Sequence, residues 1–122
     1  MGKQVLLIED EPNIIEAIRF ILQREGWAVD THSDGKTAFS RVNETRPDIV
    51  ILDVMLPGRS GFDILRDIRA DHSLAGLPVL MLTAKGQVKD REMAERIGAS
   101  RFMAKPFSNT EVLASVRELT ES

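Results

Sequence analysis

The sequence predicts an α/β protein, with one parallel sheet covered by helices on both faces. Two observations carry that prediction. Short apolar runs recur at residues 5–8, 49–52 and 79–82, with weaker ones at residues 27–29 and 102–104. Runs that are apolar at every position, rather than at alternate ones, fit strands buried on both faces of a parallel sheet. Between the runs lie segments whose apolar residues recur at helical spacing, so β and α alternate five times, with right-handed crossovers.

Each element has its own signal. After residues 5–8, Ile14, Ile15, Ile18, Ile21 and Leu22 share one helical face. Pro12 suits the first turn of that helix, and Gly26 suits the position just past its end. The run at residues 27–29 is the second strand and that at 49–52 the third, followed by a brief helical stripe of Phe62, Leu65 and Ile68. After the fourth strand, residues 88–97 are polar and weakly periodic, and Gly98 reads as the stop of a fourth helix. The last helix carries Val112, Leu113, Val116 and Leu119, and Ser108 with Glu111 reads as its capping box.

Composition narrows the class. A chain of 122 residues is expected to form one domain, residues 1–122, able to bury about two-thirds of the surface its unfolded form exposes. It has no cysteine, which excludes disulfides and thiolate metal sites. No apolar run approaches the ~20 residues of a membrane helix. The start, Met-Gly-Lys-Gln, lacks the layout of a signal peptide, so a cytoplasmic protein is expected. The net charge of -3, with Lys and Arg dispersed, argues against direct contact with nucleic acid.

What ends each strand is more informative. The first run ends in Glu9-Asp10, the third in Asp53, the fourth in Thr83 and the fifth in Lys105-Pro106. Open α/β sheets bind ligands outside the carboxyl ends of their strands, so these residues are expected to converge. Three clustered carboxylates raise one another's pKa values, and a hard cation such as Mg2+ or Mn2+ relieves that repulsion. Lys105 adds a positive point charge and Thr83 a donor, both suited to a phosphoryl group beside a carboxylate nucleophile. Glu9 and Asp10 would also favour the positive end of the first helix.

Taken together, Glu9-Asp10, Asp53-Val54-Met55-Leu56-Pro57 with Gly61, Leu82-Thr83-Ala84 and Lys105-Pro106-Phe107 resemble the receiver domains of two-component response regulators, in particular single-domain chemotaxis regulators. The resemblance runs from the first strand to the last helix. It implies a doubly wound (βα)5 flavodoxin-like fold with strand order 2-1-3-4-5. It implies Asp53 as the residue phosphorylated, by a sensor histidine kinase or a histidine phosphotransfer protein. The protein would not be an enzyme in the ordinary sense, though it would catalyse its own phosphorylation and dephosphorylation. The resemblance also implies Mg2+ held by Asp10, Asp53 and the main-chain carbonyl of Met55, with Glu9 acting through water. Lys105 and Thr83 would contact the phosphoryl oxygens, next to Ala84, and the Lys105-Pro106 peptide would be cis. Met55 and Lys85 resemble positions that tune the lifetime of the modified state. Phe102 stands at the switch aromatic, where Tyr is commoner, and Ser100-Arg101 replace an acidic pair often found before it. Thr83, drawn inward, would move the loop at residues 84–87 and let Phe102 fill the space beneath. The readout would then be a protein-binding face over residues 88–118, from the fourth helix to the fifth.

Two other readings share this fold class. A flavin carrier needs a Ser/Thr/Gly-rich phosphate cradle after strand one, where this chain has Glu9-Asp10-Glu11. A phosphohydrolase of the haloacid-dehalogenase type places its nucleophile after strand one and carries a cap. Here the best nucleophile follows strand three, and no cap fits the length.

Overall fold

The computed structural model describes residues 3–84 and 88–121. Five parallel strands form one sheet: β1 Gln4–Ile8, β2 Ala28–His32, β3 Ile49–Asp53, β4 Val79–Thr83 and β5 Arg101–Ala104. Their order is β2-β1-β3-β4-β5, as the resemblance implied. Five helices alternate with them: α1 Pro12–Arg24, α2 Gly35–Thr45, α3 Gly61–Ala70, α4 Val88–Ile97 and α5 Asn109–Thr120.

Side chains alternate across the sheet, so each strand feeds two cores. Leu6, Ile8, Val50, Leu52, Val79 and Met81 face α2, α3 and α4, against Val42, Ile64, Ile68 and Ala94. Val5, Leu7, Ile49, Ile51, Leu80 and Leu82 face α1 and α5, against Ile18, Leu22, Val112 and Val116. Continuous apolar runs follow from this double burial. The edge strand β2 extends beyond its apolar start through Asp30, Thr31 and His32, because it pairs along its whole length with β1.

The helix boundaries have local causes. Pro12 opens α1, and Gly26 takes the left-handed conformation (φ 91°) just beyond its end. Gly98 does the same after α4, at φ 113°. Ser108 and Glu111 form the reciprocal capping box that opens α5. The sequence singled out no apolar set for α2; its buried positions are Gly35, Ala38 and Val42, too few and small to stand out as a stripe. A single 3-10 turn at His72–Leu74, also unexpected, is opened by Asp71, whose carboxylate accepts from the Ser73 amide.

Candidate phosphoryl and metal site

Because all five strands run the same way, their carboxyl ends meet at one edge of the sheet. Glu9 follows β1, Asp53 closes β3, Thr83 closes β4 and Lys105 follows β5. Glu9, Asp53 and Thr83 are at most 2% exposed, whereas Asp10 is open to solvent. Glu9, Asp10 and Asp53 each offer a carboxylate oxygen, and these oxygens lie within 4.8 Å of one another.

The backbone holds these groups in place. The amides of Asp10 and Glu11 donate to Glu9 Oε2 at 3.0 and 3.1 Å, folding its side chain back over the loop. Lys105 is anchored by its amide, which donates to the Thr83 carbonyl at 2.7 Å, and its peptide to Pro106 is cis. Gly61 opens α3 so close to β3 that a Cβ there would lie 2.1 Å from the Asp53 carbonyl oxygen.

Charge is unevenly matched at this edge. The Lys105 ammonium lies 3.0 Å from Glu9 Oε1, 3.2 Å from Glu11 Oε1 and 3.3 Å from Asp53 Oδ1. Glu9 Oε1 makes no directed hydrogen bond among the described residues and is balanced by that ammonium alone. Burial, with repulsion from Glu9, pushes the Asp53 carboxyl up to about 7, against the pull of Lys105. Lys105 sits above its ordinary value: burial opposes its charge, but contact with Glu9 and the charge of Asp53 outweigh that. Among the described residues, one ammonium thus faces four carboxylates, counting Asp10. An all-oxygen donor set with surplus negative charge fits a hard divalent cation and does not suit a thiophilic one.

The structure brings Glu9, Asp10, Asp53 and Lys105 together as the sequence led us to expect. The Thr83 hydroxyl has another partner: it donates to Asp90 Oδ2 at 2.8 Å, in the first turn of α4. Ala84 and Asp90 line an open cleft whose other wall includes Met55, Leu56 and Phe62, and the Met55 side chain is 75% exposed. Phe102 is half-buried on the α4 side of the sheet and pairs in register with Met81. Lys85 and the loop through Gln87 lie outside the described residues. Sequence reasoning missed two contacts. Glu11 shares Lys105; a third consecutive acid was the available signal. Asp90 holds Thr83; in sequence it reads only as an acid near a helix start.

Three comparisons bear on identity. The family model described as "Response regulator receiver domain" matches residues 5–117. The chain is 44% identical over 115 residues, 94% of its length, to the probable transcriptional regulatory protein TcrX of Mycobacterium tuberculosis, covering 48% of that protein. It thus spans about half the length of the curated relatives it matches. Among solved structures, a response regulator from Chloroflexus aurantiacus, described as putative, superposes with a TM-score of 0.96 at 28% identity, each chain fully covered. The receiver domain of the sensor histidine kinase PA1611 of Pseudomonas aeruginosa, solved with magnesium in its active-site cleft, superposes at 0.91 and 30% identity, again with full coverage of both.

Fold and strand-end site define a flavodoxin-like signalling module rather than a flavin carrier or a capped hydrolase. The chain belongs to the response regulator receiver domains of two-component systems. No helix among the described residues is long and apolar enough to cross a membrane.

Proposed function

We propose that Asp53 accepts a phosphoryl group from the phosphohistidine of a sensor kinase or phosphotransfer protein, and that the modified chain controls a downstream protein. The observation that carries this reading is the buried Asp53 carboxylate, 3.3 Å from the Lys105 ammonium. An Asp53 oxygen attacks phosphorus, the new O–P bond forms, and the P–N bond to the donor imidazole breaks, with its electron pair leaving on nitrogen. Lys105 meets the charge on the phosphoryl oxygens, and its anchored amide fixes its position. Positioning and charge neutralisation do most of the work in such a loose transition state. Asp10, Asp53 and the Met55 carbonyl would hold Mg2+, with Glu9 acting through water. When bound, the cation neutralises the surplus carboxylate charge and that of the incoming group. Hydrolysis of the acyl phosphate resets the chain, so it catalyses its own modification and its own reversal without turning over an outside substrate.

The span 1–122 acts as one receiver unit in the cytoplasm, where kinase and phosphotransfer partners operate. Thr83 and Phe102 both lie on the α4 side of the sheet, which supports coupling of the site to a readout face formed by α4, β5 and α5. That face engages a protein or an effector domain of the same polypeptide and does not itself contact nucleic acid.

The test is intact-mass measurement after incubation with acetyl phosphate and Mg2+. Wild type gains one phosphoryl group and Asp53→Asn gains none. Equal modification of the two would overturn the assignment.

A further inference from the structure

A threonine hydroxyl has one proton to donate. In Thr83 that proton is committed to the carboxylate of Asp90, at 2.8 Å, with Thr83 itself 1% exposed. Thr83 therefore cannot donate to an oxygen on a modified Asp53 until it leaves Asp90. The two acceptors are not equivalent for the rest of the chain. Asp53 ends β3, whereas Asp90 is the third residue of α4. Ala94 is the one buried residue in α4 among those described, so few packing contacts restrain the helix.

We propose that Asp90 is the resting-state partner of Thr83, a positioning residue that sets the threshold for modification of Asp53 and transmits it to α4. The inference rests on the function proposed above. In the resting protein the Thr83–Asp90 hydrogen bond stabilises the conformation in which Thr83 faces away from Asp53. Modification supplies a second strong acceptor, and Thr83 exchanges one for the other. Asp90, half-exposed at the helix surface, is then solvated by water at little cost, and the start of α4 loses this tie to β4. The coupling is reciprocal: whatever holds Asp90 on Thr83 disfavours modification, and whatever draws Asp90 away favours it. A downstream partner offering Asp90 a cation would thus stabilise the modified state.

Asp90 could instead act only through helix stability, as an acid near an N-terminus, or only by repelling an anionic donor. A set of variants separates these. Asp90→Ala removes the acceptor, and a hydrogen bond to a charged group is strong enough that its loss should lower the half-saturating acetyl phosphate concentration roughly tenfold. Asp90→Asn keeps an uncharged acceptor and should fall between wild type and Asp90→Ala. In a Thr83→Ala background, Asp90→Ala should change nothing, since the hydroxyl it competes for is gone. Thermal melts of each variant report any effect on folding separately.

No gain in Asp90→Ala would overturn the inference, as would an equal gain in the Thr83→Ala background or equal gains for Ala and Asn at position 90. Each of these leaves Asp53 as the acceptor. Absence of any phosphoryl group on wild type would instead overturn the function reading, and this inference with it.

Discussion

Asp53 is a carboxylate that the fold keeps under electrostatic pressure. Its ordinary carboxyl value of 3.8 rises to about 7 because burial and the neighbouring Glu9 penalise the charged form. The folded state therefore holds this proton more tightly than the unfolded state does. The stability that protonation contributes is fully present below about pH 3.8 and is lost as pH rises to about 7, with no further change above. Asp53→Asn removes that titration. Without metal, the variant should gain stability over wild type as pH goes from 4.5 to 8, by on the order of 2–4 kcal/mol. Urea unfolding of both proteins at the two pH values measures the difference, in which titrating groups out of contact with Asp53 cancel. A pH-independent difference would mean that Asp53 is not strained by its neighbours. Lys105 offsets part of that repulsion, and a bound cation would offset more.

At the junction between β3 and α3 the backbones approach closely. The start of α3 lies against the last residue of β3, so Gly61→Ala forces a Cβ toward the Asp53 carbonyl at 2.1 Å. Backbone cannot yield as a side chain tip can, so the substitution should destabilise by about 2–4 kcal/mol and slow modification of Asp53 as well. Chemical unfolding and the acetyl phosphate reaction together check this; normal stability with a normal rate would show that the junction relaxes freely. Gly61 was visible in the sequence as part of a motif, but its reason, contact with Asp53 itself, belongs to the packed molecule. The strand-end acids, Thr83 and Lys105 were legible because each interrupts or ends an apolar run, and a parallel sheet sends all such ends to one side. The alternation implied α2, but its apolar face was not legible, since Ala38 and Val42 make a faint stripe among Gly, Ser and Thr. The partner of Thr83 was illegible for a different reason. Asp90 is seven residues away in a polar segment, and only the seating of α4 on the sheet decides which hydroxyl its carboxylate meets.

For the molecule as a whole, the strand-end site is a net source of repulsion among Glu9, Asp10, Glu11 and Asp53, opposed by Lys105. Millimolar Mg2+ should therefore raise the melting temperature of wild type by a few degrees, through binding to the folded state alone. Asp10→Asn should show a smaller rise and, without metal, a higher starting point. Identical Mg2+ titrations in the two proteins would remove Asp10 from the site. The sheet has a further consequence. It separates two cores with no buried residue in common, one under α1 and α5 and the other under α2, α3 and α4. Thr83, Phe102 and Asp90 all belong to the second side. A substitution on the α1 side, for instance Ile18→Val at about 0.5–1.5 kcal/mol, would thus change robustness without touching Thr83, Phe102 or Asp90.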